Sequence, residues 1–107
     1  MTTLPTKWSL EFTEKATKEF KKLDPETYRR VRNFLDKNLL TAEDPRVLGK
    51  ALTGNLKEFW RYRIGDYRLI CEVMDHKLTI VAIKIGHRSK VYKNVYFKNV
   101  HFLKSPA

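Results

Sequence analysis

The strongest constraint in this sequence is a change of hydrophobic period near residue 60. Trp60, Tyr62 and Ile64 alternate with Arg61 and Arg63, and side chains two apart on a strand share a face. Gly65-Asp66 follows, a pair able to supply the positive φ of a tight hairpin. Residues 67–73 read as a second strand and Asp75-His76 as a second turn. Residues 78–85 are apolar at nearly every position, which predicts a central strand covered on much of both faces. Three strands joined by turns this short pair antiparallel.

Upstream the period differs. Lys7-Trp8-Ser9-Leu10-Glu11-Phe12 alternates polar and apolar and predicts an N-terminal strand. Thr13 is placed to cap a helix whose apolar stripe is Ala16, Phe20 and Leu23, with Lys15, Lys18, Lys21 and Lys22 off the stripe. Asp24-Pro25-Glu26 restarts a helix: Asp as N-cap, Pro at the first position, an acid in the first turn. Tyr28, Val31, Phe34, Leu35 and Leu39 form its apolar face, so the two helices read as a hairpin. Residues 41–55 are polar, include Pro45 and Gly54, and predict a loop with a short helical turn. Gly86-His87-Arg88-Ser89-Lys90 reads as a basic loop, and residues 91–103 fit a strand, a short helix or a tail equally. The order β-α-α-β-β-β plus a C-terminal tail (about 93–107) predicts an α+β fold. The sheet is antiparallel, mixed where the N-terminal strand joins it, with the helical hairpin on one face. The arginines are expected on the other.

A chain of 107 residues has room for one domain, taken as 1–107. Its single cysteine, Cys71, permits neither an internal disulfide nor a zinc site, which fits a reducing cytoplasm, and it reads as a small buried hydrophobe. No apolar run approaches the roughly 18 residues of a membrane span, and Met1 to Lys7 lacks a signal-peptide core. Neither an HxxxH motif, a Cys/His cluster nor a glycine-rich phosphate loop occurs. The expectation is therefore no metal, no cofactor and no membrane partner.

Charge is unevenly placed. Residues 1–54 carry 11 Lys/Arg and 8 Asp/Glu, residues 55–107 carry 11 and 4, and no acid follows Asp75. Lys77, Lys84, Arg88, Lys90, Lys93, Lys98 and Lys104 thus read as uncompensated, the pattern of a phosphate-binding surface. Arg61 and Arg63 point together, Arg68 follows across the turn, and Arg88 follows the third strand. Guanidiniums gathered on one face suit phosphate through their planar donor forks, with pairing to Glu58, Asp66 or Glu72 as the alternative. Tyr92 lies among cations that favour its phenolate, so it is either a proton acceptor or a packed, base-stacking ring. His87 is the other candidate acid or base. His76 and His101 are weaker ones.

These segments together resemble the RelE/ParE superfamily of bacterial type II toxins, its RelE branch above all. The resemblance rests on Leu10-Glu11-Phe12, Phe20-Lys21-Lys22-Leu23, Leu52-Thr53-Gly54-Asn55-Leu56, the run Trp60 to Ile70, and Ile83-Lys84-Ile85-Gly86-His87-Arg88-Ser89-Lys90-Val91-Tyr92. It implies a ribosome-dependent, metal-independent endoribonuclease that cuts the mRNA codon in the A site. The ribose 2′-OH attacks the adjacent phosphate and leaves a 2′,3′-cyclic phosphate and a 5′-OH. It also implies an acidic RelB-like antitoxin, contact with mRNA and 16S rRNA, and operator DNA bound only through the antitoxin complex. Carried over by position, Arg61 and Arg63 orient substrate and stabilise charge, where the best-known pattern has lysines. Arg68 contacts the reacting phosphate, Arg88 stabilises the transition state or leaving group, and Tyr92 is the general base. Lys84, Lys90 and Lys93 would add RNA contacts. Arginine does not give up a proton, so Arg61 and Arg63 act only electrostatically, and His87 could supply a proton instead of, or beside, Tyr92. Two other readings fit the sequence: a ParE-like poison of DNA gyrase, and a non-enzymatic nucleic-acid-binding module.

Overall fold

The computed structural model describes residues 6–91. The chain runs β1 (Ser9–Phe12), α1 (Glu14–Lys21), α2 (Pro25–Phe34), β2 (Lys50–Ala51), β3 (Phe59–Ile64), β4 (Tyr67–Met74) and β5 (Thr79–His87). The strands form one five-stranded sheet in the order β1-β5-β4-β3-β2. β1 pairs parallel to β5 and the other pairings are antiparallel. The α+β class and the mixed sheet agree with the sequence reading. Strand β2 was not foreseen: it is two residues cut from the predicted loop, which also holds 3₁₀ turns at Pro45–Leu48 and Gly54–Leu56.

Capping sets the helix starts. The Thr13 hydroxyl accepts the Ala16 N–H at 3.0 Å and donates to the Ile83 carbonyl at 3.1 Å, so one side chain starts α1 and fastens it to β5. Asp24 caps α2 by accepting from the Thr27 hydroxyl and amide, which hold its carboxyl below the usual range. After Phe34 the backbone widens into a π-turn over Leu35–Leu39, closed by the Leu40 N–H on the Leu35 carbonyl at 2.9 Å. Leu35, Leu39 and Leu40 are all buried there.

Both sheet faces carry apolar side chains. On the helical side Ala16, Phe20, Val31, Leu35 and Leu39 pack on Tyr62, Leu69, Cys71, Ile80, Ala82 and Ile85. On the other side Phe59, Ile70, Val81, Ile83 and Val91 form a second cluster, joined by Leu52, Leu56 and Met74. The face opposite the helices, where the arginines are expected, is therefore covered in part by apolar side chains. β5 is buried from Thr79 through Ile85, as expected of a strand covered on both sides. Cys71 is fully buried, and burial pushes its thiol up.

Candidate active site

Register gathers the guanidiniums. Arg63 lies directly opposite Arg68 across the β3–β4 hairpin, and Arg61 lies opposite Ile70. All three arginines are on the face away from the helices, because Trp60, Tyr62 and Ile64 pack on the helical cluster. The hairpin closes at Ile64–Tyr67 through the two-residue turn Gly65-Asp66, with Gly65 at φ +60°. Directly opposed side chains of an antiparallel pair lie about 5 Å apart at Cβ, where like charges cost stability. On its other side Arg68 pairs with Gly86. Val91 fills the space that glycine leaves, 3.4 Å from where a Cβ would stand.

Sequence reasoning missed one cation. Lys50 of β2 pairs with Arg61, so its side chain shares the arginine face. Its only signal was the alternation Lys50-Ala51-Leu52, with Leu52 packing into the cluster on that face. None of the ion pairs among the described residues involves Lys50, Arg61, Arg63 or Arg68. The Arg61 Nε is buried and makes no hydrogen bond among the described residues. Arg68 donates one nitrogen, Nη1, to the carbonyls of Gly65 (3.0 Å) and Tyr67 (2.9 Å), which holds its head at the hairpin rim. Arg88 reaches that rim too: its backbone N–H donates to the Asp66 carbonyl at 2.7 Å, and its Nε lies 3.8 Å from the Asp66 carboxylate.

Two predicted residues point elsewhere. Lys84 is not an uncompensated cation: its Nζ donates to Glu19 of α1 at 2.8 Å, and the Ile85 N–H donates to the other Glu19 oxygen at 3.0 Å. The cause is a β-bulge, where the register passes from Cys71–Ala82 to Ile70–Lys84 and leaves Ile83 unpaired, re-aiming the side chain that follows. His87 pairs with Tyr67 and packs edge-on against its ring at 5.6 Å, on the helical face and away from the arginines. Its Nδ1 accepts the Ser89 N–H at 3.1 Å and lies 2.8 Å from the Ser89 hydroxyl, which shapes the turn that carries Arg88. Lys90 is exposed in that turn. Tyr92, Lys93, His101 and the tail lie outside the described residues. Val91, immediately before Tyr92, is buried on the arginine face.

In shape and charge this is a small α+β domain with a guanidinium row on the sheet face opposite its helices. Within that class, residues 10–92 match the model of the ParE toxin of type II toxin–antitoxin systems, parDE, and the chain belongs to that family. It is 34% identical over 88 residues to the mRNA interferase toxin RelE of Escherichia coli K12, covering 78% of this chain and 87% of that protein. It is 29% identical over 86 residues to toxin RelG of Mycobacterium tuberculosis, covering 80% and 97%. Among solved structures, the RelBE2 toxin–antitoxin complex of Mycobacterium tuberculosis superposes with a TM-score of 0.70 at 27% identity, over 83% of this chain and 100% of that one. The isolated Escherichia coli RelE toxin superposes at 0.64 and 27%, over 89% and 97%. The superfamily resemblance read from the sequence is thus confirmed.

Proposed function

We propose that this toxin is a ribosome-dependent mRNA interferase that cuts the A-site codon by attack of the ribose 2′-OH on the adjacent phosphate. The observation that carries this reading is the row Lys50, Arg61, Arg63 and Arg68, turned to one face without carboxylate partners among the described residues. Arg63 opposite Arg68 is unfavourable until an anion lies between them. The dianionic phosphorane formed by internal attack is such an anion, and donors fixed beforehand stabilise it without reorganisation. Arg61, Arg63 and Arg68 bind and neutralise the phosphate. Arg88, at the hairpin rim, stabilises the leaving oxygen. Tyr92 takes the 2′-OH proton. His87, facing the helices, orients the loop and is not assigned the proton. Lys90 and Lys93 add backbone contacts, whereas Lys84 serves the fold.

Several relatives in solved structures are toxins bound to RelB-like antitoxins. By the same likeness an acidic antitoxin neutralises this chain, folds onto it, and carries the pair to operator DNA. The chain then works in the cytoplasm on mRNA and 16S rRNA. The ribosome supplies the in-line geometry that a site without strong acid–base groups does not impose alone. The test is primer-extension mapping of a defined mRNA on ribosomes with an empty A site, beside the same mRNA free. Cuts within the A-site codon bearing 2′,3′-cyclic phosphates support the reading. No cuts in either, from folded protein, would turn attention to gyrase, a reading favoured by the ParE name of the matching family model.

A further inference from the structure

Beside the guanidinium row is a cleft of about 260 Å³ lined by Val47, Leu48, Gly49, Lys50, Arg61 and Arg63. It has two chemically different sides. Lys50, Arg61 and Arg63 make one side cationic. Val47 and Leu48 make the other side apolar although they are 76% and 42% exposed.

That apolar side is held firmly from three directions. The Tyr62 hydroxyl, from beneath the sheet, donates to the Pro45 carbonyl at 2.9 Å. Arg46 is clamped by Asp44 and, through both terminal nitrogens, by Asp75 at the β4–β5 turn. Those two carboxylates hold its guanidinium firmly charged, its pKa raised chiefly by the Asp75 hydrogen bond. Gly49 lets the loop press on β3: a Cβ there would stand 2.5 Å from the Arg61 carbonyl and 2.7 Å from the Tyr62 ring. An exposed apolar pair on a mobile loop needs no explanation. The same pair braced at three points against a cationic wall is a preformed seat.

We infer that this cleft seats one nucleotide of single-stranded mRNA next to the scissile phosphate, its base on Val47 and Leu48 and its phosphate on Lys50, Arg61 and Arg63. The inference rests on the nuclease reading above and adds Val47 and Leu48 as specificity-determining residues, with Lys50 as a phosphate contact. The volume lies below the roughly 300–1,000 Å³ of sites that enclose a drug-sized ligand and suits a single planar base. Charge complementarity selects the occupant: the cationic side calls for an anion, and the apolar side for a flat ring attached to it. No hydrogen-bonding side chain faces the base from Val47 or Leu48. Selection at this position therefore works by shape and contact, giving preferences rather than a strict code.

The experiment uses the full chain on ribosomes programmed with mRNAs that carry each of the four bases at every position of the A-site codon. 4-Thiouridine is placed at the same positions for photocrosslinking. The seat predicts crosslinks from mRNA to the peptide spanning residues 46–50. For Val47→Ala with Leu48→Ala it predicts a loss of roughly tenfold in kcat/KM and a changed base preference at one codon position. For Lys50→Ala it predicts weaker binding with a smaller salt slope. All three substitutions lie on exposed side chains, and a melting transition near that of the parent confirms that both variants fold. A parent chain that cuts while the variants keep its rate and preferences overturns the seat and leaves the nuclease reading standing. So does photocrosslinking in which the 4-thiouridine of the mRNA joins ribosomal RNA or other peptides and never residues 46–50. A parent chain that cuts nothing overturns the nuclease reading itself, and the seat with it.

Discussion

The Tyr62 hydroxyl donates to the Pro45 carbonyl at 2.9 Å inside the protein, tying the middle of β3 to the loop before β2. Tyr62 is fully buried, and its ring faces the helices while its neighbours Arg61 and Arg63 face away. Tyr62→Phe removes the bond and strands a buried carbonyl, at a cost of about 1–2 kcal/mol. Urea denaturation should show a lower midpoint with an unchanged slope. Unchanged stability would mean that Arg46 and the close packing at Gly49 suffice to hold the loop.

Glu19 and Lys84 join α1 to the bulge of β5, with side chains 21% and 11% exposed. Lys84→Met leaves the Glu19 carboxylate with one backbone donor, Ile85 N–H, and the distant Lys15 at 3.8 Å. Stability should fall by about 2 kcal/mol, and RNA binding should keep its salt slope. A double-mutant cycle with Glu19→Gln should show strong coupling. A lost salt slope with unchanged stability would instead make Lys84 an RNA contact.

Function and stability should separate at the arginine row. Arg63→Ala and Arg68→Ala each remove a directly opposed like charge. Arg63→Ala should hold stability or raise it by roughly 0.2–1 kcal/mol. Arg68→Ala gives part of that gain back, because it also loses its bonds to the Gly65 and Tyr67 carbonyls. Each should lower the cleavage rate roughly a hundredfold or more. Thermal melts beside single-turnover cleavage measure both. Variants that lose activity only by unfolding would contradict the assignment.

Stability should decline on the alkaline side. Burial raises the Cys71 thiol above its ordinary 9.0 and the Tyr62 phenol above its ordinary 10.0. Both groups are neutral when protonated, so the native state holds protons that the unfolded chain releases. Their contribution is complete below pH 9 and falls above it. Melting temperature against pH should bend down from about 9, and Cys71→Ala should remove the first part of the bend. The acid limb has the opposite sign. Thr27 lowers Asp24 and Lys7 lowers Glu43, so that contribution is present above the ordinary carboxylate range and fades as pH falls through the depressed values.

How much of this was legible follows from range. Period-two alternation with Gly65-Asp66 specified the hairpin, its arginine face and the central β5, because strand geometry and tight turns are local rules. Asp24 and Thr13 marked the helix starts for the same reason. Long-range partners were not legible. Glu19 lies 65 residues before Lys84, so counting charges along the sequence made that lysine look free. The bulge at Ile83 has no signature in a run that is apolar at nearly every position. His87 looked like a companion of Arg88, yet adjacent residues on an extended chain face opposite ways, and its pairing with Tyr67 turns it to the helices. Lys50 was lost because two residues are too short to read as a strand.

The central claim is chemical: the chain cuts mRNA with the RNA's own 2′-OH, assisted by the guanidinium row. The most direct measurement is cleavage of an A-site mRNA carrying a single 2′-deoxy substitution at the nucleotide 5′ of the scissile phosphate, beside the all-ribose message and Tyr92→Phe. The account predicts that the deoxy message is bound but uncut, that the ribose message ends in a 2′,3′-cyclic phosphate, and that Tyr92→Phe lowers the rate far more than binding. Cleavage of the deoxy message at the same bond would contradict it.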